Sequence, residues 1–260
     1  MAERKRRGGG RSARQAERQK PKSQTVPYIK RNIPVYNLLN EEGLSLIENN
    51  ADTILQEIGI DFRGDPEALE ILKDAGADVK EERVRFPKGM CQSLIRDTAP
   101  KEFIQHARNP ERNVVIGGEN LVLVPAYGSP FIRNVEEGRR YATIEDFRNF
   151  VKLAYLSPEL HHSGGTICEP VDLPVNKRHF DMVYTHMRYS DKPFMGSVTA
   201  PERAEDTVEM AKILFGAEFI DNNTVITSLI NANSPMVWDS TMLGAMKAYS
   251  RNNQALVVSP

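Results

Sequence analysis

The sequence predicts an α/β protein that contains the first part of a parallel (β/α)8 TIM-type barrel, preceded by a small, mostly helical section and a β-hairpin. Four β-rich segments end near Gly164, Ser197, Ile230 and Val258, roughly 30 residues apart, and helical patterns lie between them. Alternation of strands and helices at this spacing is typical of right-handed βαβ units in a parallel sheet. No Gly-x-Gly-x-x-Gly motif follows a strand, which favours a barrel over an open dinucleotide-binding sheet.

The composition is that of a globular chain without membrane-spanning segments. Of the 260 residues, 40% are hydrophobic and 27% are charged, which excludes a wholly disordered or fibrous protein. The apolar runs are far shorter than the roughly 20 residues that cross a bilayer, and no apolar segment follows the basic start as a secretory signal requires. Cys91 and Cys168 have neither the number nor the spacing of a disulfide framework or a zinc site. We therefore expect a cytoplasmic protein without a membrane partner.

The first 30 residues are expected to form a disordered basic arm. Residues 1–31 hold eleven Lys and Arg against only Glu3 and Glu17. Residues 1–24 contain no Leu, Ile, Val, Phe or Tyr, so they cannot bury enough apolar surface to offset the entropy of ordering. No aromatic side chain interleaves the charges of these 24 residues, so nucleic-acid binding is not expected to be the main function.

Residues 31–113 are expected to form a helical amino-terminal section. Apolar residues recur at steps of three and four over residues 41–59, which predicts an amphipathic helix. Asp65-Pro66 predicts the start of a second helix. Residues 83–86 have the pattern of a short strand, and Pro87 predicts the start of a third helix.

Residues 114–260 are expected to hold the β-hairpin and then the barrel strands. Two β-rich segments flank Gly117-Gly118-Glu119-Asn120, which predicts the hairpin. Thr143 and Asp146 predict a capping box at the start of the next helix. Ser234-Pro235 predicts a helix start after the third barrel strand.

The length of this last section predicts an incomplete barrel. A barrel of this type takes about 250 residues, whereas only about 145 follow the arm and the helical section. A final apolar strand without its covering helix would leave apolar surface bare. We therefore interpret the chain as a fragment or a truncated reading frame with four or five of the eight strands.

Candidate binding residues are the polar side chains that follow the strands, because ligands bind at the carboxyl ends of strands in this architecture. We predict that Tyr127, His162, Asn231 and Asn233 contact a substrate. Asn231 and Asn233 lie two apart in extended chain, so both side chains point the same way. The alternative for Asn233 is that it only ends the strand.

His162 is the best-placed titratable side chain for acid–base catalysis. His161, His162, Cys168 and Glu169 could form a metal cluster, but adjacent histidines on a strand point to opposite faces, so no metal site is predicted. No nucleophile elbow, phosphate loop or His-Glu-x-x-His motif is present. The sequence therefore leaves the catalytic residues unassigned.

Four short stretches carry a family resemblance. They are residues 69–79 (LEILKDAGADV), residues 99–103 (APKEF) with Ala107-Arg108-Asn109, the hairpin region 118–130, and residues 231–235 (NANSP) followed by Trp238-Asp239. In this order and spacing they resemble the trimethylamine methyltransferase family of corrinoid-dependent methyltransferases. The resemblance extends from about residue 35 to the end of the chain.

The resemblance implies a (β/α)8 barrel that removes a methyl group from trimethylamine or a related quaternary amine such as glycine betaine. The implied acceptor is cobalt(I) of a corrinoid that a separate small protein carries, with no cofactor bound covalently to this chain. Cobalt(I) is a strong nucleophile, so the protein must mainly position the methyl–nitrogen bond. Aromatic faces favour a quaternary ammonium, and Tyr127, Phe131 and Phe194 are candidates for this role.

Two other readings stay open on the sequence. One is a different TIM-barrel enzyme of the lyase type, which would use a Schiff-base lysine at a strand end, although none of the predicted strand ends bears a lysine. The other is an inactive truncated homologue that acts as a binding module. Homo-oligomerisation is also left open.

Overall fold

The computed structural model describes residues 29–34 and 36–259. The predicted disordered arm therefore lies outside the described residues, except for Ile29 and Lys30. The helices are α1 (Glu41–Glu57), α2 (Pro66–Asp74), α3 (Met90–Thr98), α4 (Ile144–Leu156), α5 (Arg178–Tyr189), α6 (Pro201–Phe215), α7 (Ala217–Asn222) and α8 (Ser240–Arg251). The strands are β1 (Ile29–Lys30), β2 (Ile60–Arg63), β3 (Asp78–Lys80), β4 (Arg83–Arg85), β5 (Glu102–Gln105), β6 (Val114–Gly117), β7 (Asn120–Leu121), β8 (Phe131–Asn134), β9 (Gly138–Tyr141), β10 (Phe194–Met195), β11 (Ile226–Asn231), β12 (Val237–Asp239) and β13 (Ala255–Ser259). The described part is thus mixed α/β, and none of its sheets closes into a barrel.

The three predicted helices of the amino-terminal section are confirmed as α1, α2 and α3. At the start of α2, the Asp65 carboxylate accepts a hydrogen bond from the Ala68 N–H at 3.0 Å. Thr143 and Asp146 form the predicted capping box at the start of α4. These caps satisfy N–H groups that have no partner within the helix, which is why short sequence signals located them.

Residues 31–113 are less helical than predicted, because they also contribute to a sheet. The strand order is β12-β2-β4-β3, with β2 and β3 antiparallel to β4 and β12 parallel to β2. Phe62 of β2 and Val84 of β4 are buried in the small core under this sheet. The strand predicted at residues 83–86 is confirmed as β4, whereas the short strands β2 and β3 give too little alternation to be recognised in the sequence.

The predicted parallel sheet is confirmed for three strands. β11 lies between β10 and β13, and both pairs are parallel. The segment that ends at Gly164 forms no regular strand, but it runs beside β10. There the Met195 N–H donates to the Gly164 carbonyl at 2.8 Å, and the Ser163 N–H donates to the Pro193 carbonyl at 2.8 Å.

Helices α6 and α8 pack on one face of this parallel sheet. Ile226 and Ile230 of β11 point into the core, and Tyr249 of α8 is completely buried there. Because side chains alternate along a strand, Thr227 and Asn231 lie on the opposite face. The sheet therefore has one face covered by helices and one face that carries polar residues.

Two buried glutamines bind the backbone at the amino-terminal ends of β10 and β11. Gln105 of β5 donates to the carbonyls of Phe194 and Val225 at 3.0 and 3.1 Å. Gln254, just before β13, accepts from the N–H groups of Val225 and Ile226, both at 2.9 Å. An unpaired buried peptide group costs about 1–3 kcal/mol, so these hydrogen bonds stabilise this end of the sheet. Both side chains that make them are uncharged amides.

The predicted hairpin around residues 117–120 is wrong in its pairing. β6 and β7 flank the glycine turn as expected, but β6 pairs with β5 and β7 pairs with β1, both antiparallel. The actual hairpin is β8–β9, with Phe131 opposite Tyr141. The glycines mark the turn correctly, whereas the choice of partner strand depends on contacts that are distant in sequence.

The helix predicted to start at Ser234-Pro235 begins later. Residues 237–239 first form β12 on the sheet of the amino-terminal section. Helix α8 then starts at Ser240, and the Asp239 carboxylate caps it by accepting from the Met242 N–H at 2.9 Å. The Ser-Pro pair lies in the turn before β12, so the proline signal marked a chain reversal and not the helix itself.

Lys192 joins the end of α4 to the start of β10. Its buried ammonium donates to the carbonyls of Ala154, Ser157 and Leu160 at 2.7, 2.8 and 2.7 Å. These carbonyls belong to the last turn of α4 and the segment after it, where no further N–H of the helix can reach them. One side chain therefore sets the position of the segment that leads into His161 and His162.

We predict that Lys192→Met lowers the free energy of unfolding by about 2–4 kcal/mol, because charge-assisted hydrogen bonds are lost and buried carbonyls are left without partners. Urea unfolding measures this change. The control is Lys152→Met on α4, whose exposed ammonium lies 3.7 Å from Glu145 and should contribute less than about 1 kcal/mol. Equal losses in the two variants would contradict the assigned role of Lys192.

Candidate functional site

The candidate site lies at the carboxyl-terminal edge of the parallel sheet, where the chain leaves each strand. The groups at this edge are the loop Gly164-Gly165-Thr166, then Gly196-Ser197 after β10, Asn231 of β11 and Ser259 of β13. Thr166 and Ser197 also line a small cavity of about 20 Å³ beneath α5, which has room for about one water molecule. These edge residues are uncharged, whereas His179, which also lines the cavity, has its Nε2 2.8 Å from the carboxylate of Asp206.

Tyr127 lies against the glycine loop. A Cβ atom added to Gly165 would be 2.8 Å from Tyr127 Cε2 and 2.8 Å from Met195 Cβ, so the ring and β10 enclose a position that only glycine fits. The neighbouring Gly128 N–H donates to the Thr166 carbonyl at 2.7 Å. Tyr127 remains 40% exposed, so one part of the ring is available to a ligand.

His162 is buried beneath the same loop and does not reach solvent. Its Nδ1 accepts a hydrogen bond from the Gly164 N–H at 2.8 Å, and its Nε2 has no partner among the described residues. Burial, with a smaller contribution from nearby His186, lowers the pKa of His162 to about 3. His162 is therefore neutral near pH 7, and in this position it holds the loop; its predicted contact with substrate stays a prediction.

His186 of α5 is a second residue that holds the loop, and it is not among the residues predicted from the sequence. Its Nε2 donates to the Gly165 carbonyl at 2.9 Å, which leaves Nδ1 to accept from the Ser163 hydroxyl at 2.7 Å. Burial lowers the pKa of His186 to about 4. The signal was available, since His179, Val183 and His186 recur at helical spacing on the buried face of α5.

The two predicted asparagines have different roles. Asn231 ends β11, is exposed, and lies opposite Ser259 of β13, so it belongs to the polar edge. Asn233 instead donates from its side-chain amide to the Asp239 carboxylate at 3.0 Å and accepts from the Asp239 N–H at 3.3 Å. Asn233 thus binds the residue that caps α8, and its predicted contact with a substrate stays a prediction.

The other two candidate aromatic residues lie away from the open edge. Phe194 is buried in the core and stacks on His186, with ring centroids 6.3 Å apart. Phe131 packs on Tyr141 at 4.6 Å, and the Arg139 guanidinium covers its ring at 3.8 Å. Of the three aromatic side chains, Tyr127 is the one that the fold leaves open beside the glycine loop.

His161 and Cys168, two of the four residues that could form a metal cluster on sequence alone, lie in environments that do not favour metal binding. His161 Nδ1 accepts from the Leu123 N–H at 3.1 Å. Burial, with a smaller effect of Asp146, raises the pKa of Cys168 to about 12, so its thiol stays protonated and is a poor metal ligand. Within residues 29–34 and 36–259, no group of three or more His, Cys, Asp and Glu side chains could hold a metal ion.

We predict that acid weakens the fold through the two buried histidines. An unfolded histidine binds a proton near pH 6.5, whereas His162 and His186 stay neutral until about pH 3 and 4. Below pH 6.5 the unfolded chain therefore binds more protons, and the free energy of unfolding falls as the pH is lowered, by about 1.4 kcal/mol per pH unit for each histidine.

The test is the slope of the free energy of unfolding against pH between about pH 4.5 and 6. His186→Asn removes one titrating group and should reduce the slope by up to about 1.4 kcal/mol per pH unit. Ser163→Ala is the matched control, because it breaks the same hydrogen bond but keeps both imidazoles, so the slope should persist at lower overall stability. An unchanged slope in His186→Asn would rule out a buried neutral imidazole.

No helix in the described part is long and apolar enough to cross a membrane.

Comparison with known proteins shows which family this chain is similar to. The model of the family described as trimethylamine methyltransferase (MTTB) matches residues 7–260. A glycine betaine methyltransferase of Desulfitobacterium hafniense (strain Y51) is 46% identical over 228 residues, which cover 87% of this chain and 47% of that protein. The chain thus spans about half the length of this relative. The family match confirms the resemblance predicted from the sequence, and the chain belongs to the trimethylamine methyltransferase family.

Proposed function

We propose that the protein transfers a methyl group from glycine betaine, or from trimethylamine, to the cobalt of a corrinoid held by a separate protein. Its family and the name of its relative support methyl transfer. We also propose that β10, β11 and β13 are consecutive strands of a (β/α)8 barrel, since they run parallel and lie in chain order in one sheet. The substrate would bind at their carboxyl-terminal edge.

The observation that carries this proposal is the ring of Tyr127 beside Gly165 at a neutral polar edge. A quaternary ammonium cannot donate an N–H hydrogen bond, so it is held by aromatic faces and by shape. The close approach to Gly165 fixes the Tyr127 ring while leaving it 40% exposed. His186 acts as a positioning residue, because its Nε2 donates to the Gly165 carbonyl.

The neutral edge also suits the charge change in the reaction. The methyl–nitrogen bond breaks, its electron pair stays on nitrogen, and a cationic quaternary amine leaves as a neutral amine. A cobalt(I) corrinoid on the partner protein would supply the electron pair for the new bond to the methyl carbon. A carboxylate beside the nitrogen would stabilise the cationic substrate more than the transition state, in which this charge is fading. Thr166, Ser197 and Asn231 are uncharged, so they do not stabilise the cationic substrate over the transition state in this way.

The lyase alternative lacks its central residue in the described part of the chain. A Schiff base requires a lysine at the substrate edge, but the buried Lys192 precedes β10 and donates to three carbonyls near the end of α4. The binding-module alternative uses the same edge without turnover. It is separated from the enzyme by measuring binding and methyl transfer on the same protein.

We predict that this chain binds glycine betaine and that Tyr127→Ala weakens binding about 2- to 30-fold, the range of one cation–π contact. Calorimetry measures binding, and formation of methylcobalamin from cob(I)alamin measures transfer. Tyr127→Phe should retain most of the affinity, because the ring face is kept. The control Tyr36→Ala removes an exposed tyrosine of the amino-terminal section and should change neither quantity.

Three outcomes are distinguished by this experiment. Binding together with transfer supports the enzyme. Binding without transfer supports the binding module. Tyr127→Ala with unchanged affinity for both amines, or wild-type protein that binds neither, would refute the assignment of this edge.

A further inference from the structure

The first uncovered apolar surface of the described residues is the stripe of α1. Its aliphatic side chains recur at helical spacing, yet they are about half exposed: Leu44 48%, Ile47 56%, Ile54 42% and Ile58 52%. A stripe of this kind is normally buried against a partner. The helix has no basic residue, and four of its five acidic residues are exposed and flank the stripe, namely Glu41, Glu42, Glu48 and Glu57, whereas Asp52 is buried.

The contacts of α1 with the other described residues, 29–34 and 36–259, leave this stripe uncovered. The Leu55 carbonyl accepts from the Phe86 N–H at 3.1 Å, and the Glu57 carbonyl accepts from the Arg85 side chain at 3.1 Å. These bonds anchor the last turns of α1 beside β4. The earlier turns project from the amino-terminal section with their apolar residues facing outward.

The second unpaired surface is a groove between α5 and α6, with a volume of about 420 Å³. Its apolar lining is formed by Tyr184, Met187, Met210, Ile213 and Leu214, with Arg108 and Arg188 at the rim. Ile213 is 88% exposed and Tyr184 is 54% exposed. Methionine-rich grooves of this kind accept amphipathic helices.

The charge at the rim of the groove is available to a partner. The Arg108 guanidinium is fixed by donating to the Met187 carbonyl at 2.8 Å. Neither Arg108 nor Arg188 pairs with a carboxylate of the described residues. An apolar groove with two unpaired arginines therefore fits an acidic amphipathic helix.

We infer that α1 of one copy docks into the α5–α6 groove of a second copy. The charges are complementary, since an acidic helix meets an arginine rim. The lengths also agree: the stripe from Leu44 to Ile58 spans about 21 Å, and the 15 residues of α6 span about 22 Å. The anchoring of α1 beside β4 makes the contact intermolecular.

Two other occupants fit less well. Pairing of α1 with α1 across a dyad would bring the acidic flanks together, with Glu48 near the middle of both helices, and like charges repel. A membrane surface attracts amphipathic helices with basic flanks, whereas α1 has acidic flanks only. The contact between helix and groove is heterologous, so it forms a closed dimer or ring when each copy both gives and receives a helix.

The test is sedimentation velocity of the full chain and its variants over a range of concentrations. Wild-type protein should associate, and added salt should weaken the association because ion pairs at the rim are screened. Ile47→Asp damages the helix and Ile213→Asp damages the groove, so each variant alone should associate at least tenfold more weakly. The control is Val135→Asp, at a fully exposed position of the β8–β9 turn, which should behave as wild type.

Mixing separates a heterologous contact from an isologous one. An equimolar mixture of Ile47→Asp and Ile213→Asp contains one intact helix and one intact groove, so it should form mixed dimers that neither variant forms alone. Arg188→Glu should weaken association, and combining it with Glu48→Arg should restore part of the loss. A monomeric wild type, unaffected single variants, or a mixture that stays monomeric would each overturn the inference. Circular dichroism confirms that every variant is folded.

Discussion

Backbone groups at both ends of the parallel sheet are buried, and the need to give each of them a hydrogen-bond partner shapes the structure around the sheet. Gln105 and Gln254 satisfy the amino-terminal ends of β10 and β11. His162 and His186 satisfy the loop at the opposite edge. The two glutamine amides do not ionise. Burial lowers the pKa of both imidazoles, so His162 and His186 are also neutral near pH 7. The four side chains described at the two ends of the sheet are therefore uncharged, whereas the buried ammonium of Lys192 holds the segment before His161.

This neutrality connects the architecture to the proposed chemistry. Transfer of a methyl group from a quaternary amine removes a positive charge during the reaction, so a fixed anion at the site would oppose it. The side chains at the edge instead offer hydroxyl and amide groups and the face of Tyr127. The structure contributes position, through Gly165, His186 and Tyr127, and the reactive metal would come with the partner protein. No acid–base pair is needed for the step that we propose.

The amphipathic pattern of α1 shows what periodicity can and cannot reveal. The three- and four-residue spacing located the helix correctly, because hydrophobic periodicity reports which face avoids water. It did not show that this face is exposed in the described part of its own chain, since burial depends on how segments far apart in sequence pack together. The spacing of the apolar residues in the sequence is the same whether another element of the chain or a second molecule covers this face.

The sequence alone determined the helices α1, α2 and α4, the amino-terminal caps of α2 and α4, the spacing of the parallel strands β10, β11 and β13, and the family. These features depend on residues within a few positions of one another, or on a repeated spacing, and both are visible along the chain. The tertiary structure decided which strands pair with β6 and β7, that Asn233 binds Asp239, and that His186 supports the loop beside Tyr127. Those choices depend on hydrogen bonds between segments far apart in sequence, where several partners are chemically equivalent until packing brings one of them within reach.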